Sequence, residues 1–265
     1  YYMKTSIIIK SFTFLFAVLF YSNSLTAQQA KRQYYQLKTY TLKDEAQESR
    51  MDAYLKDAFL PALKKAGIKD VGVFKFRPNN YLIADKIFVL IPFNDLGEFE
   101  ILDSKLASDP TYQKAGTDYI NAAFDNPPYQ RINSVLMRAF TEMPKMEASK
   151  LTGPRKDRVY ELRSYESPTE ATYLNKVDMF NAGGEVELFE SLDFNAVFYA
   201  EVISGDSMPN LMYMTTFPDI KTRDAKWEAF FGSDKWGVLK NEPKYQNNMN
   251  KADKLLLYPT EYSDY

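Results

Sequence analysis

Neither cysteine nor histidine occurs in the 265 residues. Without cysteine the fold is held by packing alone, and disulfides, thiol nucleophiles and thiolate metal ligands are excluded. Without histidine there is no Ser-His-Asp or Cys-His triad, no HExxH zinc site and no imidazole base. Any proton transfer therefore falls to Asp, Glu, Lys, Arg or Tyr. Charge imbalance is missing too: 33 basic against 35 acidic side chains leave −2. No basic run exceeds two residues, as at Lys31 and Arg32, so the electrostatic footprint of a nucleic-acid binder is absent. No GxGxxG opens a βαβ unit, and no Walker or calcium-loop pattern occurs, so neither a cofactor nor a metal is expected.

Aromatics are plentiful instead, with 20 Tyr and 19 Phe. They enlarge a core, line a cavity or build an interface. At the amino end a basic Lys4, the apolar run IIIKSFTFLFAVLF and a small-residue site at Ala27 read as an export signal. Its apolar stretch is short for a membrane span, so cleavage after residue 27 is expected to leave a periplasmic or secreted chain without an anchor. Lys4 and Lys10 leave with it, and the net charge moves from −2 to −4.

The chain also repeats itself. YYQLKTY (34–40) recurs as VYELRSY (159–165), with Tyr35 and Tyr160 separated by 125 positions. FNDLGEFEILDSKLASDPTY from Phe93 lines up with FPDIKTRDAKWEAFFGSDKW from Phe217. Offsets near 125 throughout indicate a duplicated unit of about 110 to 120 residues. The expected organisation is a signal peptide (1–27), a first unit (33–143), a linker (144–156) containing Gly153 and Pro154, and a second unit (157–265).

Each unit reads as strand, helix, two strands, helix, strand, the order of a split βαβ motif. In the first, Pro61 should kink or split the helix, while Asn94 and Asp109-Pro110 mark later helix starts. In the second, Ser167, Pro168 and Glu170 supply a cap, a first helical residue and an answering carboxylate, and Gly183-Gly184 interrupts the helix. The fold class is α+β, two ferredoxin-like units packed sheet to sheet as an α+β barrel within one chain. Two helices on one face of each sheet leave the other face to be covered by its counterpart.

Strand alternation then sorts the side chains. With Leu37 and Leu162 under the helices, the barrel lumen receives Gln36, Lys38 and Tyr40 from one unit and Glu161, Arg163 and Tyr165 from the other. These six are the candidate ligand-binding residues. Glu161 and Asp85, the latter a lone carboxylate in an apolar strand, are the candidate proton-transfer groups. A one-residue register slip reverses the assignment.

YQLKTYTL, KKAGIKDVGVFKF, YELRSYES, FNAVFYAEVISG, LMYMTTF and DAKWEAFFGSDKW together resemble the NIPSNAP family in tandem, over essentially all of the chain after residue 27. The resemblance is to exported bacterial members, and it implies a dimeric α+β barrel. The wider superfamily includes small monooxygenases, haem-handling enzymes and non-catalytic proteins; its His-dependent functions do not carry over. Two functions follow. One is a lumen that binds a small polar or anionic aromatic molecule, with a cofactor-free monooxygenase or isomerase as its catalytic form. The other is a non-enzymatic interaction module, associating with itself through helical faces around Trp227 and Trp236.

Overall fold

The computed structural model describes residues 30–77 and 86–265. The expected export segment and Asp85 lie outside the described residues. In the first half, β1 (Tyr34–Thr41) leads into α1 (Glu45–Tyr54), which Asp44 caps by accepting a hydrogen bond from the Gln47 backbone. Pro61 has no N–H to continue the helical ladder, and the helix widens into one π turn, Leu55–Phe59, before resuming as α2 (Leu60–Lys65). β2 (Gly72–Phe76), β3 (Lys86–Phe93), α3 (Leu96–Ala107), α4 (Pro110–Ala115), α5 (Thr117–Ile120) and β4 (Arg131–Ala139) complete this half. The cap of α3 is Asp95, not Asn94. Asp95 accepts from the Glu98 N–H, and the Glu98 carboxylate reaches back to the Asn94 N–H.

The second half repeats the order: β5 (Val159–Glu166), α6 (Glu170–Phe180), α7 (Glu185–Ser191), β6 (Ala196–Ser204), β7 (Asn210–Phe217), α8 (Ile220–Gly232), α9 (Asp234–Leu239) and β8 (Lys251–Pro259). The start of α6 falls two residues later than expected. Ser167 is tied to the sheet, its N–H donating to the Pro209 carbonyl and its hydroxyl to that of Asn248. Thr169 therefore caps the helix and Thr172 answers it. Gly183 and Gly184 separate α6 from α7, with Gly184 in the left-handed region at φ 83° that disfavours a side chain.

All eight described strands join one closed antiparallel barrel in the order β1-β3-β2-β8-β5-β7-β6-β4. Each half contributes the same permutation, fourth-first-third-second. The halves meet edge to edge, β2 along β8 and β4 along β6, with a bulge beside Leu136. They are thus one continuous sheet.

Three apolar layers result. The lumen holds Tyr35, Leu37, Phe74, Leu90, Tyr160, Leu162, Phe198, Met212 and Met214. The first helical layer buries Tyr40, Tyr54, Phe59, Val73 and Val89. The second buries Tyr165, Phe180, Phe189, Tyr199, Tyr213 and Trp227. Inside and outside are therefore exchanged relative to the sequence expectation. Leu37 and Leu162 point into the lumen, while Gln36, Lys38, Tyr40, Glu161, Arg163 and Tyr165 lie on the helix side of their strands. The physical reason is access. A closed barrel gives a charged side chain no route to water or partners, whereas long polar chains beneath helices reach donors and acceptors on those helices.

Candidate functional site

The second helical layer concentrates buried polarity. From β5, Glu161 is fully buried and Arg163 is 4% exposed. The Arg163 guanidinium donates to Glu161 at 2.7 Å and to the Tyr165 hydroxyl at 2.7 Å, and lies 3.7 Å over the Trp227 ring. α8 supplies the rest: Arg223 gives Glu161 two hydrogen bonds and the Trp227 indole N–H a third, at 2.8 Å. Burial pushes the Glu161 carboxyl up, but the Arg223 hydrogen bonds and the Arg163 and Arg223 charges outweigh it and hold the pKa below the ordinary value. Four donors occupy this carboxylate, so it is an anchor without a free lone pair for a substrate proton.

A second pair lies nearby. Lys176 of α6 and Glu185 of α7 meet at 3.0 Å, both nearly inaccessible. Burial raises the Glu185 carboxyl, and Lys176 opposes that only in part. Two buried carboxyls in one layer thus have affinities for protons pushed in opposite directions. Between them, the Tyr165 and Tyr213 hydroxyls share a 2.8 Å hydrogen bond.

Next to Tyr213 stands Tyr199, its ring stacked at 5.6 Å and its neighbour in the β6–β7 register. Tyr199 is fully buried, and its hydroxyl has no hydrogen-bond partner among the described residues. Burial, followed by the charges of Glu190 and Glu185, raises its pKa well above that of a free phenol. It stays a neutral donor at any working pH.

Tyr199 forms part of the wall of a cavity of about 290 Å³, together with Phe189, Glu190, Phe194, Met143 and Glu147. This is just below the usual range for small-ligand pockets. Its outer wall is the segment joining the halves, where the Glu147 N–H donates to the Val197 carbonyl at 3.0 Å. A wider crevice of about 890 Å³ beside Tyr119, Phe124 and Tyr129 is walled mostly by exposed and half-buried residues.

The structure gathers Glu161, Arg163 and Tyr165 into one network, and Gln36, Lys38 and Tyr40 onto the corresponding face of the first half. None of the six lines the lumen. Tyr199 and Tyr213 were missed by sequence reasoning, although a signal exists. They occupy the register positions that Val73 and Val89 hold in the first half, and a tyrosine pair in place of a valine pair marks a layer rebuilt around polar groups.

Residues 160–264 match the NIPSNAP family. Among solved structures, a candidate monooxygenase from Lactobacillus acidophilus NCFM has a TM-score of 0.57 at 7% identity, covering 86% of this chain and 94% of its own. Another candidate monooxygenase, from Fusobacterium nucleatum subsp. nucleatum ATCC 25586, has a TM-score of 0.54 at 7% identity, covering 87% and 93%. An anthrone oxidase-like protein has a TM-score of 0.50 at 9% identity, covering 88% and 93%. At these identities the likeness is one of fold. No curated protein sequence matches the chain. The second helical layer combines buried aromatic and polar groups, an arrangement consistent with binding a small molecule.

Proposed function

We propose that the protein is an enzyme acting on a small enolisable aromatic compound in the cavity at Tyr199, without a bound redox cofactor. The observation that carries this reading is Tyr199, whose side chain forms part of the cavity wall and whose hydroxyl is buried behind it without a partner among the described residues. Such a hydroxyl is costly to leave unsatisfied and is matched to an oxygen that gains charge during reaction. Of the carboxylates on this wall, Glu147, Glu190 and Asp193, Glu190 is the one whose charge acts on the Tyr199 phenol, and it takes the C–H proton. The electron pair left on carbon delocalises onto the substrate carbonyl oxygen, to which Tyr199 donates.

Return of the proton to another carbon is an isomerisation. With dioxygen as co-substrate, the carbanion is oxidised to a hydroperoxide, which loses water. The balance is then CH2 plus O2 giving C=O plus H2O, a monooxygenation. The monooxygenase-like fold supports this class, and the name of the anthrone oxidase-like protein suggests anthrone as first probe. Dioxygen uptake with anthrone should fall about 100-fold in Tyr199→Phe, the scale of losing one oxyanion donor. Equal rates in wild type and variant would contradict the proposal.

The same reading makes the chain an exported tandem NIPSNAP protein, with units at 33–143 and 157–265, supported by the signal-like residues 1–27 and the twice-used strand order. Amino-terminal sequencing of protein from its host should begin near Gln28; an intact Met3 would contradict export.

A further inference from the structure

The first half contains the counterpart of the Glu161–Arg163 network, but the hydrogen bonds that occupy the cation there are missing. Counting from the equivalent caps Asp95 and Asp219, Phe99 stands where Arg223 does and Asp103 where Trp227 does. Gln36 replaces Glu161, and its amide turns away to donate to the Ser134 hydroxyl at 2.8 Å. In the register, Arg163 faces Tyr213 whereas Lys38 faces Val89. Lys38 is left with no hydrogen bond or ion pair among the described residues.

Its surroundings are aromatic. The Lys38 Nζ lies 5.4 Å from the Phe59 ring centre and 5.7 Å from that of Tyr40. Burial lowers its pKa, and the charge of Asp103 on α3, the neighbouring acid that acts on it, offsets this in part. Two residues along the same face, Tyr40 is fully buried, and its hydroxyl makes no hydrogen bond of ordinary geometry among the described residues, although the Tyr119 phenol is close enough to act on it. Burial raises the Tyr40 hydroxyl, so it keeps its proton. Lys38 itself is half-buried, and Ser134, opposite it on β4, is exposed. A small molecule therefore has an approach along the β4 edge.

An amine without an ion pair, in a poorly hydrated aromatic surround and on the same strand face as a buried phenol, has the features of an imine-forming lysine. We propose that Lys38 is a carbonyl-reactive amine that condenses with a small aldehyde or ketone, Tyr40 acting as the acid. The Nζ lone pair adds to the carbonyl carbon to give a carbinolamine. Tyr40 protonates the departing hydroxyl, the nitrogen lone pair closes the C=N bond as water leaves, and the iminium N–H proton returns to the Tyr40 oxygen, so that amine plus carbonyl gives imine plus water. This site is separate from the cavity at Tyr199 and does not depend on its function.

Reductive trapping tests it. Full-length protein at pH 7.5 is treated with benzaldehyde below stoichiometry and cyanoborohydride, and the modified lysines are identified by peptide mass mapping. Lys38 should be labelled at least ten-fold faster than the median lysine. Tyr40→Phe, which keeps the amine, should slow labelling of Lys38 several-fold while leaving the other lysines unchanged. Lys38→Arg should remove the fast event. Labelling of Lys38 at or below the median rate, or a Tyr40→Phe rate equal to wild type, would overturn the proposal.

Discussion

Glu161 and Glu185 show how one layer gives the same side chain two electrostatic roles. Glu161 has a folded pKa below its unfolded value, so its contribution to stability is fully present above about pH 4.3, the ordinary glutamate value. It is lost as the pH falls through the folded pKa. For Glu185, raised by burial, the sign is opposite: its contribution is present below about pH 4.3 and lost as the pH rises through the folded value. Glu161→Gln removes one charge from a buried cluster of Arg163 and Arg223 and should cost about 3 to 5 kcal/mol. In urea titrations across pH, wild type should lose more stability than Glu161→Gln below about pH 4.3; parallel curves would contradict the assignment. The sequence shows that Glu161, Arg163 and Tyr165 share a face, because alternation along a strand is local. It does not show which face, since both sides of this sheet are covered, and Leu162 serves equally well in a lumen or under a helix. Tyr199 was illegible for a related reason: the meaning of its hydroxyl depends on the cavity beside it, which the linker and α7 create.

At the scale of elements, only some helix starts were readable from capping chemistry. Asp109 caps α4 as its sequence context predicts, whereas α3 is capped by Asp95 and not by Asn94. Ser167 fails as a cap because a tertiary hydrogen bond holds it in the sheet, and no local pattern carries that information. Pro61 and Gly183-Gly184 mark real interruptions, met differently: a widened turn in one half, two separate helices in the other. The second arrangement brings Lys176 at the end of one helix against Glu185 at the start of the next. A buried pair of this kind is weak support for stability as a pair and costly when broken. Lys176→Met alone should destabilise by about 3 to 5 kcal/mol, whereas Lys176→Met with Glu185→Leu should recover most of the loss. Denaturation midpoints of the two variants check this. A double variant no better than the single one would contradict it.

At the scale of the whole molecule, the duplicated order was readable and its joining was not. Sequence repetition suggests two sheets stacked face to face, but the strands close into one sheet through two seams. The tail after β8 is part of the core. Ser263 accepts from the Val73 N–H and Asp264 from the Val71 N–H, while Tyr265 packs against Phe74 and Tyr160 in the lumen. Arg155 of the linker donates to the Thr260, Ser263 and Tyr265 carbonyls, tying the segment between the halves to this tail. Neither half can lose its edge strands without opening the other. Calorimetry should therefore show one unfolding transition with equal calorimetric and van't Hoff enthalpies. Two separate peaks would mean that the seams are not cooperative.

The proposed turnover at Tyr199 places the reaction in the helical layer of the second half, whereas the lumen side chains pack as core. Tyr35 and Tyr199 separate the two, since both carry fully buried hydroxyls without partners, one in the lumen and one at the cavity. The most direct measurement is the rate of anthrone C–H exchange in deuterated buffer, followed by proton NMR, for wild type, Tyr199→Phe and Tyr35→Phe. The account predicts a loss of about 100-fold in Tyr199→Phe and a wild-type rate in Tyr35→Phe. A loss in Tyr35→Phe with Tyr199→Phe unaffected would return the function to the lumen and contradict it.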